Sequence, residues 1–261
     1  MGLFGKLFEK ENCAFCGKEL GVFGKKKLED GVMCGDCQKK LSPWFTERKQ
    51  STIAEIQQQL DYREANKEKV AAFNTTRTFG THTKLLLDED NQKFMVTSAR
   101  NLDEANPDVL SYSDVTGCTI DIDESSREET RTDSEGKQVS YNPPRYTYYY
   151  NFKVIINVRN PYFDEIKFQL NGSAIEIDVI GRPGGFGRPA TLRPELNLDY
   201  REYKAMGEEI KEALLNVRQQ VRDEVAAAAA PKTAVTCPYC GATTTPDASG
   251  CCEYCGGAVN A

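Results

Sequence analysis

Eight of the ten cysteines stand as four pairs with two residues between partners: Cys13/Cys16, Cys34/Cys37, Cys237/Cys240 and Cys252/Cys255. Two intervening residues let one tight turn aim both sulfurs at a single cation, and two such turns complete a tetrahedral four-thiolate site. The pairs fall at the two ends of the chain, so two sites are expected, each closed by four protein ligands and therefore structural rather than catalytic. Zinc is the expected metal. Iron in a rubredoxin-like site is the second candidate, because the same four thiolates would hold it. Gly17, Gly241 and Gly256 each follow the second cysteine of a pair, where a knuckle turns with positive φ. Cys37 is followed instead by Gln38. Cys252 is preferred to Cys251 as a ligand because it restores the two-residue spacing. Cys118, between Val115 and Ile120 in a strand-like run, reads as a small buried hydrophobe. Disulfides would need an oxidising compartment, and no apolar run with a small-residue cleavage site opens the chain.

These sites need elements to hold them. The 261 residues carry 33 Lys+Arg and 39 Asp+Glu, a formal charge of −6. Residues 1–41 and 234–258 are too short to fold on apolar burial, so metal would supply their folding energy. The expected organisation is an N-terminal zinc ribbon (1–41), a connector helix (42–74), a β domain with a long C-terminal helix (75–230) and a second zinc ribbon (231–261). Thr52-x-x-Glu55 is a capping box opening the connector. That helix is polar nearly all round between Asp61 and Lys69, so it either stands free or lies flat on the β domain. From Thr83 to Ile180 apolar residues alternate with polar ones in seven antiparallel segments. In the clearest, Tyr148, Tyr150, Phe152, Val154, Ile156 and Val158 share one face, and its length calls for a bend or bulge. Asp199-x-x-Glu202 is the expected cap of a final helix whose stripe runs Tyr203, Met206, Ile210, Leu214, Val217, Val221 and Val225.

Seven meandering strands closed by an amphipathic helix resemble the pleckstrin-homology/GRAM-like superfold. The fold class expected is thus α+β multidomain: a seven-stranded antiparallel barrel closed by a helix and flanked by two small zinc ribbons. The whole order, a cysteine-knuckle ribbon leading through Thr52–Phe73 to a β domain opening on Leu85–Val96, resembles bacterial proteins joining an N-terminal zinc ribbon to a pleckstrin-like domain. The resemblance implies a cytoplasmic protein without an assigned reaction.

No catalytic residue is expected. The one histidine, His82, precedes the first main strand beside Thr81 and Thr83 and reads as solvated. Asp121–Glu135 reads as a solvated hairpin excursion, and Gly181–Pro189 as a crossover rather than a phosphate loop. Three partner classes follow. Protein partners are favoured, with Trp44, Phe45, the Tyr148–Tyr150 strand edge and the last turns of the final helix as candidate contacts. Lipid is disfavoured because Asp88-Glu89-Asp90-Asn91 would repel phosphate and residues 75–198 carry 14 Lys+Arg against 19 Asp+Glu. The apolar Leu3, Phe4, Leu7 and Phe8 leave a peripheral membrane foot as an alternative. Nucleic acid is disfavoured because the first ribbon, with Lys25-Lys26-Lys27, is only at +2 and the second at −1.

Overall fold

The computed structural model describes residues 11–21, 24–180, 192–229, 234–245 and 250–259, with side chains of the final helix followed to Leu215. Two compact units divide the chain, Met1–Arg218 and Gln219–Ala261. The N-terminal apolar foot and the Gly181–Pro189 crossover lie outside the described residues. So do the side chains of Val217, Val221 and Val225.

The first unit begins with two hairpins, β1 (Glu11–Asn12) with β2 (Glu19–Leu20), and β3 (Lys26–Lys27) with β4 (Val32–Met33). A single helical turn, α1 (Gly35–Gln38), follows. The connector helix α2 spans Ile53–Ala71. Its predicted capping box is present: Glu55 N–H donates to Thr52 Oγ1 at 3.3 Å, and Thr52 N–H to the Glu55 carboxylate at 2.7 Å. Asp30 of the β3–β4 turn accepts from Ile53 N–H at 2.7 Å, so the ribbon itself completes the helix start. Ile56 is fully buried in the ribbon's apolar cluster with Leu20, Leu28 and Met33.

Among the described residues the β domain holds eight strands in two four-stranded antiparallel sheets. The first is a meander of β5 (Arg77–Phe79), β6 (Lys84–Asp88), β7 (Lys93–Thr97) and β8 (Leu110–Ser111). A helical turn, α3 (Leu102–Ala105), separates β7 from β8. The second sheet has β9 (Val115–Thr132), β10 (Gln138–Val158), β11 (Glu165–Gln169) and β12 (Ile175–Ile180). The described strands do not close into the single seven-stranded barrel expected from the sequence. β5 is an eighth strand too short to show a period, and the two sheets pack face to face around one core rather than sharing continuous hydrogen bonding.

β10 lies in the middle of its sheet. It pairs with β9 along one edge, and with β11 and then β12 along the other. Asn171 bridges the gap between β11 and β12. Its carboxamide accepts from Phe152 N–H at 2.8 Å and donates to Tyr150 O at 3.1 Å, replacing the strand partners that the turn removes. The expected irregularities in β10 occur at Ser140/Arg145 and Asn157/Val158. Its alternate residues Tyr150, Phe152, Val154, Ile156 and Val158 face the core as predicted. The central position of β10 corrects the Tyr148–Tyr150 expectation: Tyr150 is buried and Tyr148 packs against the same core, so neither offers an open edge. Asp121–Glu135 is the far end of the β9–β10 hairpin and is largely exposed, as expected, but it is regular strand rather than loop up to Thr132, and only Thr130–Thr132 with Gln138–Ser140 extends beyond β12 as a two-stranded ribbon.

The final helix α4 (Leu198–Ala229) starts one position before the expected cap. Asn197 caps it, accepting from Tyr200 N–H at 3.0 Å, and Asp199 falls in the first turn. Tyr200, Ile210 and Leu214 enter the core. At Gly207 a Cβ would stand 3.0 Å from Ile120 Cγ1, which accounts for a glycine inside a helix at its closest approach to β9.

α2 covers the outer face of the first sheet. Leu85, Leu87, Phe94 and Val96 point into the main core, while Leu86 and Met95 point outward against Val70 and Phe73. β6 and β7 are thus apolar on both faces because both are covered.

Candidate metal centres

The sulfurs of Cys13, Cys16, Cys34 and Cys37 lie within 4.8 Å of one another, and so do those of Cys237, Cys240, Cys252 and Cys255. The separations carry information. Four sulfurs about 2.3 Å from one tetrahedral cation must stand about 3.8 Å apart. Cys13–Cys37 is 3.8 Å and Cys16–Cys34 3.7 Å in the first cluster; Cys237–Cys255 is 3.5 Å and Cys240–Cys252 3.7 Å in the second. A disulfide would require about 2.05 Å, and all ten cysteines are free thiols. The donor sets therefore fit a tetrathiolate metal ion in size and chemistry.

Local backbone explains how each pair is aimed. Three of the four knuckles repeat one pattern. Cys13, Cys237 and Cys252 accept at their carbonyls from Gly17, Gly241 and Gly256, at 2.9, 2.9 and 2.8 Å. They donate their own N–H to Lys18, Ala242 and Gly257 carbonyls at 2.8, 2.8 and 2.9 Å. The three glycines have φ of 70°, 72° and 69°, as the sequence required. The fourth knuckle differs for a physical reason. Cys34 is the N-cap of α1 and Cys37 lies in its first turn, with Cys37 N–H donating to Cys34 Sγ at 3.3 Å. A helical turn needs no left-handed residue, and Gln38 suffices.

Backbone N–H groups favour the thiolate at one cysteine of each tetrad. Burial opposes ionisation of Cys13, but the N–H groups of Cys16, Phe15 and Cys34 outweigh it and bring the thiol down to about 6. Cys237 behaves alike: burial raises it, and the N–H groups of Cys240 and Tyr239 bring it to about 7. Cys37 is raised, first by burial and then by its three thiol neighbours. At Cys255 the Gly257 N–H acts downward, but thiol hydrogen bonds to Cys237 and Cys240 prevail and push it up to about 12. Cys252 is in the tetrad, as its spacing indicated. Cys251 forms a strand bridge with Ala258 instead. Cys118 is buried in the β-domain core, and burial pushes its thiol up to about 11. His82 is exposed.

One feature escaped the sequence. The buried stripe of α2 is Ile56, Gln59, Arg63, Asn66 and Val70, at steps of three and four, and its three central members are polar. Arg63 Nη1 donates to Asp108 Oδ1 at 2.7 Å, its Nε to Lys40 O at 3.2 Å, and its Nη2 to Asn106 O. Asp108 Oδ2 accepts from Ser42 Oγ at 2.7 Å. Asn66 donates to Asn106 Oδ1 and Pro107 O and accepts from Val109 N–H at 2.7, 2.8 and 3.1 Å. Asn106, in the left-handed region at φ 47°, donates back to Arg63 O at 2.7 Å. This network ties the first ribbon, α2 and the β domain together. Trp44 and Phe45 reinforce it, Trp44 against the β-domain core and Phe45 against the ribbon cluster. Both are half-buried. The only signal in the sequence was the three- and four-residue spacing of Arg63 and Asn66 with Ile56 and Val70.

In the second unit β13 (Val235–Thr236) pairs with β14 (Thr243–Thr244), and Cys237, Cys252 and Val259 form its small core. Tyr239 and Tyr254, each just before the second cysteine of a knuckle, are 73% and 72% exposed. Phe15, in the matching position of the first ribbon, is instead half-buried against its cluster.

Residues 11–59 match the family model of a domain of unknown function, DUF4428. That span ends within α2, just past the Ile53 and Ile56 side chains that complete the ribbon's apolar cluster. No curated protein and no solved structure matches the chain. Among the described residues no helix is long and apolar enough to cross a membrane.

Proposed function

We propose that this chain is a non-enzymatic, cytoplasmic zinc-binding adaptor acting through protein–protein contact. The observation that carries the reading is the pair of sulfur tetrads with tetrahedral edge lengths. Zinc in such sites would organise each ribbon and, with four protein ligands, would leave no open coordination position for substrate. Thiols arranged for metal rather than joined as disulfides support a reducing compartment. Two four-stranded antiparallel sheets followed by a core-packed helix support a pleckstrin-homology/GRAM-like assignment for the β domain. Exposed Tyr239 and Tyr254 are the best candidates for partner contact, since tyrosine supplies large contact area at low entropic cost.

Elemental analysis of the purified chain tests the metal reading: two zinc ions per chain are expected, and a metal-free folded protein would sink it. Affinity capture from the native host with wild type and a Tyr239→Ser/Tyr254→Ser variant tests the adaptor reading. The variant should lose specific partners that wild type retains; equal capture by both would refute the assigned surface.

A further inference from the structure

Beside the first metal centre lies a cleft of about 910 Å³ walled by the ribbon, the segment after it and α2. Five of its lining residues, Lys26, Lys39, Arg48, Lys49 and Arg63, are cations, and none is a carboxylate. The chain as a whole has more acids than bases, 39 against 33, so this concentration runs against the composition. Arg63 forms the floor and is already paired with Asp108. Arg48 is oriented by a hydrogen bond from Nη1 to Lys27 O. Lys26, Lys39 and Lys49 form no ion pair among the described residues. The nearby Asp36 is taken by Lys18 at 3.1 Å. Lys26, Lys39, Arg48 and Lys49 thus have no carboxylate within ion-pair distance among the described residues, although Asp36 also acts on Lys39 from farther off, and a concave wall concentrates their field.

We propose that this cleft binds a compact polyphosphate group, free or carried on a small molecule. The four unpaired cations come from three separate segments and converge on one cavity, which suits a ligand of high charge density rather than one carboxylate per peptide residue. Exposed acids adjoin lining residues in sequence, Glu47 beside Arg48 and Asp103 and Glu104 beside Ala105, so a long nucleic-acid strand would meet repulsion there. Phe45 also lines the cleft and offers a flat apolar surface to a carried base or ring. Lys39 directly follows α1, the turn that bears Cys37, so the first metal centre positions part of the wall.

Calorimetric titration of the zinc-loaded full chain with sodium tripolyphosphate, and in parallel with ATP, tests the assignment, with zinc content checked afterwards. One site per chain is expected, weakening several-fold between 50 and 200 mM salt as screening rises (~14 to ~7 Å Debye length). Lys39→Glu and Lys49→Glu are exposed changes, and each should lower affinity about tenfold or more while Trp44 fluorescence confirms the fold. Tighter binding of ATP would point to a carried phosphate; equal or weaker binding would point to a free one. No saturable binding at 150 mM salt, or affinity unchanged in both variants, would overturn the proposal. So would an acidic peptide that outcompetes tripolyphosphate.

Discussion

Replacing Arg63 by methionine should be the most damaging polar-to-apolar change in the first unit. The side chains of Arg63 and Asp108 are 5% and 0% exposed. Methionine keeps the length of the stem but removes the charge and the donors that reach Asp108, Lys40 O and Asn106 O. Asp108 would retain only the Ser42 hydroxyl as a side-chain partner. Breaking one side of a buried pair costs about 3–5 kcal/mol, because it leaves an uncompensated charge. Against a domain stability of about 5–15 kcal/mol this is a large share. The loss should also depend on pH. Burial already raises Asp108 above the ordinary carboxylate value, with Arg63 and Ser42 acting against it. Without Arg63 the carboxyl moves higher still. A carboxyl whose folded value lies above its unfolded one contributes stability below the unfolded value, about 3.9, and loses it as pH rises through the folded one. Arg63→Met should therefore fall further behind wild type at pH 7.5 than at pH 5. Urea unfolding followed by Trp44, the single tryptophan, reads this directly, since Trp44 packs against the β-domain core. Adding Asp108→Asn should recover part of the loss at pH 7.5. The reasoning fails if Arg63→Met stays within about 1 kcal/mol of wild type at both pH values. It also fails if the double variant is no more stable than the single one.

Gln59 is fully buried, and neither atom of its amide has a hydrogen-bond partner among the described residues. Gln59→Met should stabilise the first unit by about 1 kcal/mol, and a loss in the same urea assay would show the amide to be satisfied. Asp88 is buried, which raises its carboxyl, but Asn74 N–H and the Asn91 side chain and N–H prevail and hold it below its ordinary value. Its contribution is present above the unfolded value and lost as pH falls through the folded one, so Asp88→Asn should cost about 1–2 kcal/mol at pH 7 and little below about pH 3. Acid titration of both proteins by circular dichroism checks that the two curves converge. Cys252→Ser should lower zinc content from two ions per chain to one, whereas Cys251→Ser should leave it at two; equal effects would contradict the geometry of the second tetrad.

The Asp88 contacts also change an inference drawn from the sequence. Asp88-Glu89-Asp90-Asn91 read as an acidic hairpin facing any approaching phosphate, yet Asp88 is turned inward and spends its charge on turn N–H groups. Sequence shows that a carboxylate is present but not which way it points. The fully apolar runs Leu85–Leu87 and Phe94–Val96 were a fairer signal, because a strand apolar on both faces must be covered on both. What covered the outer face was not visible, since α2 presents mostly polar residues on its inner stripe.

The sequence by itself determined the four cysteine knuckles, because two-residue spacing is local: each knuckle is closed by hydrogen bonds within six residues. It also determined the core face of β10, because alternation is a property of one strand. Tertiary structure alone decided how the first ribbon, α2 and the β domain are joined. Arg63 and Asn66 satisfy their hydrogen bonds on Asn106–Val109, some forty residues away in sequence. A polar side chain is legible as an interior one only when its partner is known, and here the fold supplies the partner.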